Sequence, residues 1–294
     1  MVSIDVNPPF RTMKPTLIPL AIVLTVSALL FSCNDNRSDG DIATRDSVTV
    51  QQQRLSDTST FVKSNGEHCV ICADMNAEVP VAFGDTAATA QLQRLFVRLV
   101  LEQGDSLPID AAMQQCVSNS IHQFDMVGQA GSDDEEDTDA DVETLHTYNT
   151  STTITTYYNK NDLVTFCRAD VVKKNDQVTS VAHRYVTIDL TDVTPLELNR
   201  MFRDDAIGDV CQLLKNALLS ENKATSNEQL NELGYYNIDN ITVTRNLYFT
   251  DQGVTWSFLP NELAVEAIGE PHITIPYDEL KPMACDNSVL DRVK

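Results

Sequence analysis

Three extended segments in the second half of the chain place the strongest limit on its fold. Thr152–Asn159, Leu163–Val172 and Val178–Asp189 are rich in Thr, Tyr and Val, which are residue types that favour β-strands. Short polar turns at Asn159–Asp162 and Lys173–Gln177 separate them. Strands with such short connections run antiparallel, because a parallel connection needs about a dozen residues or more. The sequence therefore predicts an antiparallel meander.

Apolar residues recur at helical spacing on both sides of this meander. Helices are predicted at Ala87–Leu101, Ile109–Met126, Asp205–Ser220 and Ser226–Leu233. Thr194-Pro195-Leu196-Glu197 has the pattern of a capping box with proline at the first helical position, which predicts a further short helix. Additional strands are predicted at Ala77–Phe83, Ile241–Phe249, Val254–Phe258 and His272–Ile275. Helices grouped between antiparallel strands indicate an α+β fold with the helices on one side of the sheet.

The N-terminus carries an export pattern. The apolar run Leu17–Phe31 follows Lys14 and ends just before Cys33, and it is shorter than the roughly 20 residues that span a bilayer. A basic start, a short apolar centre and small residues near its end are typical of a secretory signal. Leu30-Phe31-Ser32-Cys33 looks like a lipobox, in which the chain is cut before a cysteine that then carries lipid. We expect a signal peptide over 1–32, starting at Met1 or Met13, and lipidation of Cys33; the alternative is an uncleaved membrane anchor.

This pattern predicts a lipoprotein of the cell envelope that faces the periplasm or the cell surface. Asn34, directly after Cys33, favours the outer membrane over the inner one. The net charge of −22 excludes a nucleic-acid binder, because phosphate contacts need clustered Lys and Arg. So acidic a domain is also repelled by anionic surfaces, and we expect membrane attachment through the lipid alone.

Composition divides the rest of the chain into four regions. A flexible lipidated tether is expected over 33–66, a smaller region with helices and a strand over 67–127, an acidic loop over 128–147, and the main α+β domain over 148–286. Acidic residues crowd the stretch Asp133–Glu143, which is typical of a solvated loop. A calcium loop is the alternative there, but the glycine and glutamate that an EF-hand requires are missing.

Six cysteines remain after the lipidation residue. They are Cys69, Cys72, Cys116, Cys167, Cys211 and Cys285. An even number in an oxidising compartment permits disulfides among all six. The Cys69-x-x-Cys72 pair also leaves open a redox pair or a metal site with His68, although no second pair follows. Buried free thiols are the remaining alternative, and Cys116 fits one on the apolar face of its helix. No metal and no cofactor is predicted.

Several stretches of the second half stand in a characteristic order. They are Ser180-Val181-Ala182-His183, Ile188-Asp189-Leu190, Pro195–Leu198 with Met201-Phe202, Asn246–Val254, and Ile273–Leu280. In this order they resemble the RsiV-like ectodomains, a group of exported bacterial domains, best over 150–282 and more faintly over 70–126. The resemblance implies an α+β domain preceded by a smaller helix-containing region. Some members of the group are outer parts of anti-sigma factors that sense lysozyme, and others lie beside polysaccharide deacetylase domains. We expect neither a sigma-binding segment nor a deacetylase domain here.

The chain departs from the group in one loop. Pro260-Asn261-Glu262 and Val265-Glu266-Ala267 replace two tyrosine-containing motifs, although Gly269 is kept. A partner contact made by those tyrosines would therefore be missing in this protein.

No catalytic motif stands out, because neither G-x-S-x-G, H-E-x-x-H, a P-loop nor G-x-G-x-x-G occurs. We therefore predict a binding module without catalytic residues that recognises an envelope protein or a peptidoglycan-type glycan. The candidate binding residues are His183, Trp256, Glu262 and Tyr277. A structural role for His183 and a core position for Trp256 are the alternatives at those residues. The alternative function is a cell-wall hydrolase that uses His183 and nearby carboxylates, and a third is a structural subunit of an envelope complex.

Overall fold

The structure, a computed structural model, describes residues 47–62, 68–130 and 145–293. Its strands are β1 (Thr49–Val62), β2 (His68–Ala82), β3 (Leu145–Lys160), β4 (Leu163–Lys174), β5 (Gln177–Asp189), β6 (Thr194–Pro195), β7 (Leu247–Phe249), β8 (Gly253–Ser257) and β9 (His272–Pro276). Its α-helices are α1 (Thr86–Leu95), α2 (Ile109–Ala130), α3 (Ile207–Glu221), α4 (Asn227–Glu232) and α5 (Tyr277–Leu280), and a π-helical turn, Phe96–Val100, continues α1. This mixed architecture confirms the α+β class.

The larger sheet has six strands in the order β1-β2-β3-β4-β5-β6. All neighbours are antiparallel except β2 and β3, which run parallel. The predicted meander is confirmed as β3, β4 and β5. Its two turns have positive φ at Asn161 and Asp162 and at Asn175 and Asp176, the backbone that two-residue hairpin turns require and that Asn and Asp tolerate best.

Both helices predicted before the meander are present and cover one face of the larger sheet. Their apolar side chains form one core with the strands, in which Phe96 meets Phe166 edge-on with 5.0 Å between the ring centroids. The cap of α1 is Asp85, whose carboxylate accepts a hydrogen bond from the Ala88 N–H at 2.8 Å. At the end of the π-helical turn, the Arg168 side chain from β4 donates hydrogen bonds to the carbonyls of Val100 and Leu101 at 3.1 and 3.3 Å. A cation thereby satisfies the carbonyls at a helix C-terminus.

A second core forms around the smaller sheet, whose order is β7-β8-β9. Trp256 and Phe202 lie in its centre, fully buried, with 6.3 Å between their ring centroids. Gly253 is required where β8 meets β9, because a Cβ atom there would lie 2.1 Å from the Ile275 carbonyl oxygen. The predicted helices Asp205–Ser220 and Ser226–Leu233 are confirmed as α3 and α4.

A buried ion cluster ties the C-terminus to the larger sheet. The fully buried Asp189 carboxylate accepts hydrogen bonds from Arg292 at 2.8 Å and from the Thr191 hydroxyl at 2.8 Å, and Arg200 lies 3.0 Å away. Burial alone would raise the pKa of Asp189, but the hydrogen bonds from Arg292 and Thr191 outweigh burial and lower the pKa below its usual value.

Part of the segment expected to be a flexible tether is a strand. Residues 49–62 form β1, which pairs with β2 along its whole length, so the C-terminal part of the 33–66 segment belongs to the fold. Most residues of β1 are polar on both faces of the strand. Leu55 and Phe61 are partly buried against the first core and identify the inner face of β1. The strand predicted at Ala77–Phe83 also begins earlier, at His68.

Further differences concern boundaries. β2 of the expected 67–127 region pairs with β3 of the expected 148–286 domain, so the two regions share one sheet. The ends of the expected 128–147 loop are helix and strand, and its centre, 131–144, lies outside the described residues. The strand expected over Ile241–Phe249 is confined to β7.

The predicted capping-box helix is wrong. Thr194 and Pro195 form β6 by pairing with Asp189 and Ile188, and the Leu196 N–H donates to the Thr187 carbonyl at 2.9 Å. Proline is tolerated on this short edge strand because its missing N–H faces away from the ladder. Only a single 3₁₀ turn, Leu198–Arg200, follows.

Candidate functional site

A groove of about 430 Å³ opens between the first half of β5 and the loop that leads into β9. The strand lines one wall. The loop and the first residue of β9 line the other. The lining residues are Val178, Thr179, Ser180, Val181 and His183 on the strand side, and Pro260, Glu266, Gly269, Glu270 and His272 opposite. The loop that departs from the RsiV-like pattern is thus one side of the groove.

Two side chains from outside the larger sheet cap the outer edge of β5 where β6 does not reach. The Tyr185 N–H donates to the Asn246 side-chain oxygen at 2.7 Å, and the His183 N–H donates to a Glu270 carboxylate oxygen at 2.7 Å. Alternate residues of a strand direct their backbone groups to the same edge. The N–H and carbonyl of Val181 therefore face outward as well, and the described part of the chain offers them no hydrogen-bond partner.

His183 and Glu270 form the central polar contact of the groove. The second Glu270 oxygen accepts a hydrogen bond from His183 Nδ1 at 2.6 Å. The His183 side chain is 34% exposed, whereas that of Glu270 is only 8% exposed. Because the carboxylate holds both the backbone N–H and the ring, it fixes the proton on Nδ1 and leaves Nε2 as an acceptor in neutral histidine.

A cluster of aromatic rings adjoins the groove at His272. Tyr185 and Tyr248 lie 4.3 Å apart between ring centroids, and the His272 ring lies 6.3 and 6.2 Å from them. Desolvation against these rings lowers the pKa of His272, although Glu270 acts in the opposite direction. Burial likewise raises the pKa of Tyr248 to about 12. At neutral pH, therefore, His272 and Tyr248 add no charge to the groove.

The remaining side chains make the groove acidic. Glu266 is exposed at its rim, and Glu270 lies deeper. No Lys or Arg is among the residues that line it. The site therefore offers carboxylates, a histidine and an open strand edge. Three His, Cys, Asp or Glu side chains placed to hold a metal ion do not occur together anywhere in the described ranges.

Only one of the four predicted binding residues lines the groove. His183 does so, whereas Trp256 and Tyr277 are buried, which is inconsistent with a binding role at the surface. The Tyr277 hydroxyl donates to the Thr250 carbonyl at 2.6 Å, which is a structural role. Glu262 is exposed, but its carboxylate accepts from the Leu259 N–H at 2.9 Å and so shapes its own loop.

Sequence reasoning missed Glu270, which lies 87 residues from its partner His183. Its neighbour Gly269 was one signal, because that glycine is kept where the rest of the loop diverges. Asn246, which caps the β5 edge, opens one of the stretches that resemble the RsiV-like group, and that was the other signal.

The cysteines are dispersed over the fold. Cys69 and Cys72 lie on opposite faces of β2, since they are three residues apart in a strand, so the two thiols can neither pair with each other nor bind one metal ion. Cys116 is buried and donates to the Leu101 carbonyl at 3.2 Å; desolvation raises its pKa, as expected of a core thiol. Cys72, Cys116, Cys167, Cys211 and Cys285 are free thiols.

The predicted signal peptide, Cys33 and the acidic centre at Asp133–Glu143 lie outside the described residues. Among the residues that the structure does describe, no helix is both long and apolar enough to cross a bilayer.

Comparison with known proteins agrees with this α+β architecture. Residues 199–278 match the family described as "Protein of unknown function (DUF3298)". That match includes the loop wall of the groove and excludes β5. No curated protein matches the chain.

Two solved structures share the fold. A DUF3298 family member from Bacteroides fragilis NCTC 9343 is 18% identical with a TM-score of 0.68, over 85% of this chain and 99% of that one. A DUF3298 family protein from Pseudomonas aeruginosa PAO1 is 14% identical with a TM-score of 0.50, over 81% of this chain and 96% of that one. At these identities the likeness concerns the fold alone.

Proposed function

We propose that this protein is a lipid-anchored binding module of the cell envelope, of the RsiV-like type. It recognises an envelope protein or a cell-wall glycan without converting it chemically. The lipobox at Cys33 supports the anchor, and Asn34 favours the outer membrane. The groove beside β5 carries the binding role, because it is an open concavity with exposed polar groups on both walls.

The way Glu270 is used favours binding over catalysis. Both of its oxygens are held by His183, one by the backbone N–H and one by the ring. The carboxylate thus ties the loop wall to the strand wall and keeps the groove in one shape. A preformed site of this kind loses little conformational entropy on binding.

A pair of matched variants tests the proposal. Val178 in the groove is 57% exposed and Val62 at the end of β1 is 56% exposed, so arginine at either position costs little stability. The full chain is immobilised in mild detergent. We expect it to retain either a protein from envelope extracts or purified peptidoglycan itself. Val178→Arg should abolish retention, and Val62→Arg should leave it unchanged. Equal retention by all three chains, or by none, would contradict the proposal.

A hydrolase acting on cell-wall material is the second candidate, favoured by the geometry at His183. A histidine whose Nδ1 is bound by a carboxylate presents Nε2 as a general base. In that case the wild-type chain would release soluble fragments from purified peptidoglycan, and His183→Gln would stop release while peptidoglycan binding remained. Absence of release by the wild-type chain argues for the binding module.

A further inference from the structure

We propose that the groove binds an extended peptide, which adds as a new strand to the open edge of β5 and places a basic side chain against Glu266 and Glu270. This inference rests on the binding function proposed above and specifies its ligand. The partner is therefore a protein that carries an exposed, basic, extended segment.

The backbone of β5 supports the strand addition. β6 and the side chains of Asn246 and Glu270 satisfy the outer edge from Asp189 back to His183. No described residue covers this edge at Val181, so the N–H and carbonyl of Val181 face the groove without a hydrogen-bond partner in the described chain. Unpaired strand edges are templates for another strand, and peptide recognition by strand addition uses such groups for affinity.

The walls of the groove suit an extended chain. Val178 and Val181 leave 57% and 37% of their surface exposed on the strand side, and Pro260 lies on the opposite side. A peptide strand directs alternate side chains to opposite faces. Apolar residues of the ligand can therefore cover these valines while its backbone pairs with β5.

The charge of the site selects a basic residue. Glu266 is exposed and its carboxylate makes no hydrogen bond to any described residue, whereas both oxygens of Glu270 are engaged by His183. No cation of the lining balances them. The net charge of −22 adds a long-range attraction for cationic partners. Acidic peptides and uncharged glycan chains lack this complementarity.

Three fluorescein-labelled heptapeptide pools test the inference on the full chain in mild detergent. The first has the pattern XVXKXVX, the second has Glu in place of Lys, and the third is the first with N-methylated valines. We expect the lysine pool to bind and to slow hydrogen exchange in residues 177–182. The glutamate pool should not bind, and N-methylation should weaken binding by more than about tenfold, because it removes backbone donors.

Variants identify the site of binding. Glu266→Gln should weaken the affinity for the lysine pool by about two- to fivefold at low salt, the usual contribution of an exposed ion pair. Glu279→Gln, at an exposed residue of α5, should have no effect. Val178→Arg should abolish binding and Val62→Arg should preserve it.

The outcomes separate the two proposals. The peptide inference is overturned if no pool binds, or if the lysine and glutamate pools bind equally. If uncharged glycan chains bind in a Val178→Arg-sensitive manner while the peptides fail, the binding module stands and its peptide ligand does not. If neither peptides, glycan nor envelope proteins bind, both proposals fall.

Discussion

Asp189 shows how a single buried charge organises distant parts of this chain. It lies at the end of β5, and its partners Arg200 and Arg292 come from a 3₁₀ turn and from the C-terminal segment. Removing one member of a buried charge cluster leaves the others without compensation. The aspartate within the Ile188-Asp189-Leu190 stretch is therefore structural, whatever the groove binds.

We expect Asp189→Asn to lower the free energy of unfolding at pH 7 by about 3 kcal/mol or more, because two arginines lose their buried counter-charge. Asp192→Asn is the control. Its side chain is 50% exposed and pairs with Arg200 at the surface, so its cost should stay below about 1 kcal/mol. Urea denaturation measures both values, and equal losses would contradict a special role for Asp189.

The same residue predicts an acid dependence. The pKa of Asp189 is lower in the folded protein than in the unfolded chain, so its stabilisation is complete above the unfolded value of about 3.9. It is lost as the pH falls from there through the folded pKa. The wild type should therefore lose more stability than Asp189→Asn between pH 6 and acid conditions, as urea midpoints at each pH will show. Parallel curves would refute the linkage.

Two glycines should respond in opposite ways to alanine. Gly269 has φ +82° and ψ −138°, a conformation that alanine adopts only at a cost of about 1–3 kcal/mol. Gly208 lies in α3 with open space around it, where alanine should stabilise by about 0.4–1 kcal/mol. Thermal denaturation should show the opposite signs. Because Gly269 precedes Glu270, its variant should also weaken binding in the groove, whereas Gly208→Ala should not.

At the scale of elements, the sequence predicts best those elements that are determined by neighbouring residues. The hairpin turns at Asn161-Asp162 and Asn175-Asp176 fix β3 to β5 through residues that tolerate positive φ. The capping-box pattern at Thr194 was equally local, but pairing with β5 overrode it. β1 has few apolar residues, and its strand state depends on a partner that the sequence does not indicate locally.

The groove was only half predictable for the same reason. His183 belongs to a recognisable stretch, whereas Glu270 and His272 reach it through the packing of a second sheet. Trp256 and Tyr277 looked like candidate contacts because aromatic residues anchor many interfaces. The same residue types also fill cores, and no local pattern distinguishes the two uses.

β1 should be essential for stability. A chain that begins at residue 67, where the folded part was expected to start, lacks β1 and exposes the edge of β2. It also loses Val48, which is held by the Asn159 side chain at 2.8 and 2.7 Å. We expect this truncation to unfold at lower urea or to aggregate, whereas a chain beginning at residue 47 retains full stability. Equal urea midpoints for the two chains would assign β1 to the tether.

At the scale of the whole molecule, charge and attachment act together. The net charge of −22 disfavours contact with anionic lipid, so the proposed acyl group at Cys33 is the expected attachment. The chain between Cys33 and β1 then sets the distance between the membrane and the groove.

Replacement of the lipidation residue tests this arrangement. Cys33→Ser should move the protein from the membrane fraction to the soluble fraction and prevent labelling with a palmitate analogue. Cys72→Ser, at a half-buried thiol, is the matched control and should change neither. Fractionation and labelling give the readout, and membrane retention of Cys33→Ser without lipid would indicate an uncleaved anchor.

The parallel pairing of β2 with β3 has a consequence for how the protein assembles. β1 with β2, and β3 with β4 and β5, are each built from neighbours in the chain, and such local hairpins form within microseconds. Joining them requires β2 to find a strand more than 60 residues away, and distant pairings of this kind slow folding. We therefore expect the β1–β2 and β3–β5 units to form first. Pairing of β2 with β3, together with packing of α1 and α2 on the sheet, is then the slow step in refolding.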